Sequence, residues 1–254
     1  YNFSTVEGLA RLLTNTVEQQ ENGQATIDAE HESTIDLSAQ KIAQLPRHSE
    51  EPEHILITGA TGFVGAYLLK ELLSGTKATI YCLVRETDAG NARQRVLENL
   101  RTYNLYDHTS EDRVVAITGD LSLPALGIDK TTYEILAGRI DLIYHLAAHM
   151  DLMSVYHRLK SANVGSARSV VKLATTRKLK KLVYVSTLAV FSSSGERACY
   201  ENDPIDFEKH SYSSGYAGSK WVAEKIISNA IDKGLPAQII RLGLITGDAA
   251  IGKM

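Results

Sequence analysis

The pattern of apolar and polar positions changes character near residue 50. Ahead of it, residues 4–13 read as one short amphipathic helix. Ser4 or Thr5 can cap it, and Val6, Leu9, Leu12 and Leu13 fall on one face. Residues 14–51 are rich in Glu, Gln, Asp, Ser and Thr, with Ile27, Ile35, Leu37, Ile42 and Leu45 scattered among them. This stretch reads as a linker with little core of its own, closed by Pro46 and Pro52. From His54 onward, β-branched apolar runs recur at 55–58, 78–84, 113–118, 141–146, 181–186 and 237–242. Each gap is long enough for a crossover, and helical periodicity fills Val64–Leu73, Ala92–Tyr103, Val155–Arg177 and Tyr216–Lys233. Near-continuous apolar strands alternating with helices predict an α/β fold: a Rossmann-like, doubly wound parallel sheet with flanking helices.

Composition narrows the class. The chain has 254 residues, 44% hydrophobic and 22% charged, with a formal net charge of −3. These proportions exclude a disordered or collagen-like chain, and the two cysteines, Cys82 and Cys199, read as intracellular thiols rather than a disulfide framework. No apolar run approaches the roughly 18–20 residues of a membrane span. The N-terminal YNFSTVEGLARLL lacks the layout of a secretory signal. The expectation is a cytoplasmic protein with no membrane or nucleic-acid partner. Few residues follow the sixth strand, where an enzyme of this kind needs further chain to enclose a substrate.

The first turn carries candidate chemistry. ITGATGFVG places Gly59, Gly62 and Gly65 between a strand and a helix. Gly59 suits the tight turn, Gly62 a close backbone approach to a pyrophosphate, and Gly65 close helix–strand packing. Thr61, Phe63 and Val64 complete a turn whose amides and helix dipole can meet phosphate. After the second strand stands Arg85, where an NAD site has an acidic residue. A guanidinium pairs with a 2′-phosphate, so NADPH is favoured, and Arg93 or Arg95 on the next helix can join it. Asp120, with Leu121 after it, is read either as an acceptor for the adenine amino group or as the cap of the next turn. Ala147 and Ala148 are small where the cofactor crosses the strand ends. His145 reads as a satisfied core histidine and His149 as a cleft-wall residue. No ligand-spaced cluster surrounds them, so no metal is expected.

Tyr216-Ala-Gly-Ser-Lys220 sets a phenol and an ammonium four residues apart on one helix face. The ammonium can lower the phenol pKa from about 10 and let it pass a proton to a carbonyl oxygen. The spacing alone is uninformative, because Tyr156-x-x-x-Lys160 repeats it. Position arbitrates. Tyr216 opens the helix after the fifth strand, whose tip carries Ser186 and Thr187, and ligands of open α/β sheets bind at those tips. Thr187, one step closer to the cleft, is preferred to Ser186. Asn163 on the preceding helix can fix backbone or water near Lys220, or simply bend its helix.

Together these residues resemble the extended short-chain dehydrogenase/reductase superfamily. TGATGFVG, DLIYHLAA, Asn163-Val164, STLAVF, YAGSK and RLGLITG occur in its order over most of residues 54–247. Within it, LVR at 83–85 followed by Arg95, GDLSLPALGI at 119–128 and STLAV at 186–190 are similar to the thioester reductase domains that terminate nonribosomal peptide synthetases, and to the related carboxylic acid and aminoadipate reductases. The resemblance implies a catalytic set of Thr187, Tyr216 and Lys220, with Arg85 and Arg95 gripping the 2′-phosphate of NADPH. The remaining cofactor contacts it implies are His149, Asn163, and Leu242, Gly243 and Leu244 after the sixth strand.

FSTVEGLARLL resembles the last helix of a peptidyl carrier domain. The domain expectation is therefore a carrier helix over 1–13, a linker over 14–51 and the NADP(H)-binding domain over 52–254. The implied partner is an upstream carrier bearing a phosphopantetheine-tethered acyl or peptidyl thioester. The family's C-terminal substrate subdomain is missing from the sequence. The implied reaction is hydride transfer from NADPH to the thioester carbonyl, with Thr187 and Tyr216 on the oxyanion and collapse to an aldehyde and a thiol; an alcohol would follow from a second hydride. A nucleotide-sugar epimerase or dehydratase of the same superfamily and a non-catalytic NADP(H)-sensing protein are the competing readings. Arg85 weighs against the first and the intact Thr187, Tyr216 and Lys220 against the second.

Overall fold

Six parallel strands form one sheet in the order β3-β2-β1-β4-β5-β6. They are β1 (His54–Thr58), β2 (Thr79–Val84), β3 (Val114–Thr118), β4 (Leu142–His145), β5 (Lys181–Thr187) and β6 (Ala237–Leu242). Each lies within one residue of its expected apolar run at either end. The computed structural model describes residues 29–47, 51–191, 199–201, 203, 205, 214–249 and 252. The helix expected at 4–13 lies outside them. The chain separates into two units, Tyr1–Glu32 and Ser33–Met254. The described part of the first is Ala29–Glu32, within the short helix α1 (Ala29–Ser33).

In the second unit, α2 (Ala39–Ala43) is followed by α3 (Phe63–Gly75), α4 (Ala89–Thr102), α5 (Lys130–Arg139), α6 (Tyr156–Lys160), α7 (Ser166–Ala174) and α8 (Gly215–Asp232). Side-chain caps start several of them: Asp88 accepts from the Asn91 amide at 2.9 Å, and Ser214 accepts from the Ala217 amide at 3.1 Å. The helix expected over Val155–Arg177 is not continuous. A π-helical turn, Ser161–Gly165, separates α6 from α7, which ends at Ala174. Helix α5 carries no periodic signal in the sequence, and it buries only Leu136 and Ala137.

Strands β1 and β2 are buried on both faces, as near-continuous apolar strands require. Ile55, Ile57, Ile80 and Cys82 pack with Leu69 of α3 and Val96 of α4. At the start of the strands, Asp141 accepts from the amides of Glu53 (3.0 Å) and His54 (2.9 Å) and pairs with Lys178 at 2.7 Å. This aligns the entries of β1 and β4, whose registers then bring Thr58 opposite His145 at the far end.

Residues 33–47, within the stretch expected as a linker, pack on this unit. Ser33 and Ile35 offer carbonyls to Asn229 (3.0 Å) and Lys233 (3.1 Å), Ile42 is buried, and the Leu179 amide donates to the Pro46 carbonyl at 2.8 Å. No helix among the described residues is long and apolar enough to cross a membrane.

Candidate active site

The strand order reverses between β1 and β4, so their C-terminal ends diverge into a crevice, the usual ligand position of a doubly wound sheet. The Gly-rich turn forms one wall. Gly59 has φ +85, a conformation that costs a side-chain-bearing residue, and a Cβ there would come within 2.9 Å of the Ala147 amide nitrogen. A Cβ on Gly65 would lie 2.0 Å from the Gly59 carbonyl oxygen. The strand, turn and helix therefore interlock only with glycine at both positions. Thr58 stitches the opposite wall: its hydroxyl oxygen accepts from the Ala147 amide at 3.2 Å and bonds His145 Nδ1 at 2.7 Å. His145 Nε2 meets the Ser166 hydroxyl at 3.1 Å, so both ring nitrogens are partnered. Burial first, then the Lys220 charge, pull this histidine down to about 3. It is the neutral core histidine the sequence suggested. His149 is exposed at the cleft.

At the other end of the crevice, Arg85, Glu86, Thr118, Asp120 and Leu123 line a cavity of about 420 Å³. Arg95 donates to the Arg85 carbonyl at 3.1 Å and pairs with Glu86 at 3.0 Å. Arg93 is engaged elsewhere, with Glu111 at 2.7 Å. Of the two helix arginines, Arg95 is thus the one beside Arg85. Asp120 takes the turn-capping role of the two weighed for it: its Oδ1 accepts from the Ser122 amide (2.8 Å) and hydroxyl (2.6 Å). Those bonds hold its carboxyl below the usual carboxylate range, and the nearby Arg85 charge adds to the shift. Leu121 follows it, half-buried.

The β5 tip separates the two candidate hydroxyls. Ser186 is buried and donates to the buried Glu224 carboxylate, which also accepts from Arg241 Nε (2.9 Å) and Nη2 (2.7 Å). Thr187 is half-buried on the opposite strand face, its hydroxyl accepting from the Ala189 amide at 3.2 Å. Strand alternation thus leaves Thr187 as the hydroxyl not consumed by the Glu224 network. Lys220 is buried on α8. Its ammonium donates to the Val185 carbonyl at 2.8 Å and stands 4.4 Å from the Tyr184 ring centroid. Burial pulls this lysine down to about 7, against the Glu224 charge, which raises it.

Tyr216 departs from expectation. Burial holds its phenol above its ordinary 10, where a neighbouring ammonium was expected to lower it. The Lys220 ammonium is turned to the Val185 carbonyl and the Tyr184 ring instead. A phenol kept protonated is suited to giving a proton rather than taking one.

Asn163, buried in the π-helical turn, does what the first of its two readings supposed. Its Oδ1 accepts from the His149 amide at 2.7 Å; its Nδ2 donates to the His149 carbonyl at 3.1 Å and to the Ser219 hydroxyl at 2.8 Å. Ser219 in turn donates to the Tyr216 carbonyl at 2.8 Å. The cleft wall and the first turn of α8 are fixed through one amide. Asn163 sits within the π turn that separates α6 from α7.

The residues missed by pattern reading are supports. A Cβ on Gly215 would fall 2.4 Å from the Ser154 carbonyl oxygen and 2.4 Å from the Tyr156 amide nitrogen, so this glycine lets α8 start against α6. Glu224 and Arg241 anchor the β5 tip, and Asn99 reaches the Gly-rich turn. None belongs to a periodic motif. The second pair, Tyr156 and Lys160, lies on α6, with Tyr156 buried. Leu242 ends β6 opposite Thr187 in register, and Gly243 and Leu244 follow it exposed.

Gly-turn cradle, paired arginines and a Tyr–Lys helix at the strand tips define an NAD(P)(H)-binding oxidoreductase domain of the extended short-chain dehydrogenase/reductase type. The residues present fit NADPH: a Cβ at Gly62 would meet only the Gly59 carbonyl oxygen, at 3.5 Å, so the turn is open there to a pyrophosphate, and Arg85 lines the cavity after β2 with Arg95 bonded to its carbonyl. Comparison with known proteins takes this further. Residues 57–254 match the NAD-binding family described as male sterility protein, and the chain belongs to that family. It is 38% identical over 199 residues to a linear gramicidin synthase of Brevibacillus parabrevis, covering 78% of this chain and 4% of that protein.

Among solved structures, it resembles the terminal R domain of the myxalamid PKS-NRPS biosynthetic pathway. The TM-score is 0.83 and the identity 37%, over 89% of this chain and 58% of that one. The reductase domain of a nonribosomal peptide synthetase from Mycobacterium tuberculosis follows, with a TM-score of 0.72 and 33% identity, over 87% and 56%. The chain therefore spans little more than half the length of these reductase domains, to which it is closely related.

Proposed function

We propose that this chain supplies the NADPH-binding and hydride-transfer half of a thioester reductase, working in the cytoplasm. It would release an acyl or peptidyl chain from an upstream phosphopantetheine-bearing carrier domain as an aldehyde. The observation that supports this reading is Lys220, on the helix that Tyr216 helps to open, donating to the Val185 carbonyl at 2.8 Å close to the Thr187 end of β5, at the sheet edge that also holds the Gly-rich turn. The relationship to nonribosomal peptide synthetase reductase domains supports the substrate class.

NADPH, when bound, supplies the hydride. The amides of the Gly59–Gly65 turn hold its pyrophosphate and Arg85 with Arg95 its 2′-phosphate. Lys220 presents its ammonium at the β5 tip, where it can hold ribose hydroxyls and favour negative charge on the reacting oxygen. The Thr187 hydroxyl donates to that oxygen as charge develops. Tyr216, kept protonated by burial, gives it the proton. The resulting hemithioacetal then collapses: its C–S bond breaks as the C=O of the aldehyde re-forms, and the hydroxyl proton ends on the departing sulfur as the carrier thiol.

The test is incubation of the full-length protein with NADPH and an acyl-pantetheine thioester, followed by product identification. An aldehyde with stoichiometric NADPH consumption is expected. Unchanged thioester in the presence of bound NADPH would overturn the assignment.

A further inference from the structure

Helix α4 touches the loop after β2 and then the Gly-rich turn at successive helical turns. Arg95 reaches the Arg85 carbonyl at 3.1 Å. One turn on, Asn99 Nδ2 donates to the Ala60 carbonyl at 3.1 Å and to the Gly62 carbonyl at 3.1 Å. One turn further, at the C-cap, the Tyr103 ring meets the Phe63 ring edge-on, with centroids 5.2 Å apart. One face of one helix therefore contacts both loops that the proposed cofactor site uses. Two carbonyls are acceptors only, so the amide must present its NH₂ group to them, and that group has two hydrogens to give.

The consequence follows from peptide geometry. A trans peptide is planar, with its C=O and the next N–H pointing in opposite directions. Held by Asn99, the Ala60 carbonyl faces α4 and turns the Thr61 N–H the other way, toward the crevice; the Gly62 carbonyl, which also accepts from the Ala66 amide at 3.0 Å, is held by Asn99 and α3 together and turns the Phe63 N–H likewise. Phe63 opens α3, where first-turn amides have no intrahelical acceptor. Left to itself, a glycine-rich turn samples many peptide orientations, and each must be ordered when an anion binds.

We propose that Asn99 is a positioning residue for the cofactor pyrophosphate, preorganising the Thr61 and Phe63 amides as anion donors by clamping the carbonyls behind them. This rests on the cofactor reading above. It adds a division of labour along α4: Arg95 serves the 2′-phosphate end, and Asn99 serves the part shared by NADPH and NADH.

The test is titration of the 254-residue chain with NADPH and with NADH, together with its melting midpoint without cofactor, for wild type, N99A and R95A. N99A is expected to weaken both cofactors about tenfold, leaving their affinity ratio at the wild-type value. R95A is expected to weaken NADPH alone. Intact affinities in N99A, with or without a lower melting midpoint, would overturn the proposal. So would a loss confined to NADPH. If N99A does not fold, N99D decides by the same titration. It keeps the size but turns a carboxylate on two carbonyls, and both affinities should fall; unchanged affinities would overturn the clamp. A wild type that binds neither cofactor would instead refute the underlying cofactor reading.

Discussion

Burial acts in opposite directions on the two members of the Tyr-x-x-x-Lys pair. It raises the Tyr216 phenol and lowers the Lys220 ammonium to about 7, so both groups are pushed toward their neutral forms. Glu224, one turn beyond Lys220, opposes the shift on the lysine. Tyr216→Phe should cut hydride transfer at least 100-fold, the lower end of what a general acid contributes, while NADPH titrates normally. Tyr156→Phe should leave single-turnover NADPH oxidation within about twofold, since Tyr156 is buried on α6 and not on the helix that carries Lys220. A dead Tyr156 variant would reverse the choice between the two pairs. At the adenosine end, Arg85→Ala should remove a charge-assisted contact worth on the order of 1.5–3 kcal/mol, lowering NADPH affinity at least tenfold and NADH affinity little. Fluorescence titration with both cofactors reads it.

At the scale of elements, the active helix α8 is set by its neighbours. Gly215 lets it start against the backbone of residues 154–156, and Asn163 ties its first turn to the cleft wall. Gly215→Ala would drive a Cβ into backbone rather than into a yielding side chain. It should destabilise the fold by about 1–3 kcal/mol, seen as a lower denaturant midpoint, and depress turnover through Tyr216. The strands and the Gly-rich turn are legible from sequence because both leave local patterns: runs of β-branched residues, and glycines at fixed spacing before a helix. The π turn at Ser161–Gly165 is not, since the helical periodicity continues through SANVG and its one glycine, Gly165, looks no different from those that α3 carries without a π turn. Asn99 is hidden for another reason. Its bonds reach 37 and 39 residues back along the chain, to main-chain atoms whose sequence says nothing about them. The direction of the Tyr216 shift escapes pattern reading because spacing on a helix shows where a lysine starts and not where its ammonium ends.

Over the whole molecule, chemistry is concentrated at the C-terminal edge of the sheet, and the other edge is built for stability. There Lys180 is 0% exposed, its ammonium donating to the carbonyls of Thr176 (2.8 Å) and Lys178 (3.0 Å). Burial first, then the Lys178 charge, pull it down from 10.5 to about 7. Between those values the unfolded chain binds a proton that the folded chain does not. Stability should therefore be lowest below pH 7 and climb as pH rises toward 10, by about 1.4 kcal/mol for each tenfold difference in proton affinity between the unfolded and folded chains. Denaturant melts across pH 6–10 should show a shallower climb for Lys180→Met than for wild type, with the Lys220 contribution remaining. An equal slope would mean that Lys180 is solvated when charged.

The proposed reaction joins the two ends of this edge: a dinucleotide held by the Gly-rich turn and arginines would deliver its hydride to a carbonyl served by Thr187, Tyr216 and Lys220. Its most direct measurement is label transfer in a single turnover. Full-length protein is incubated with NADPH deuterated at the reactive face of nicotinamide C4 and an acyl-pantetheine thioester, and the product is read by mass spectrometry. One deuterium on the aldehyde carbon is expected, and no labelled product from Tyr216→Phe despite bound NADPH. An aldehyde without deuterium, or labelled product formed equally well without the Tyr216 hydroxyl, would contradict it.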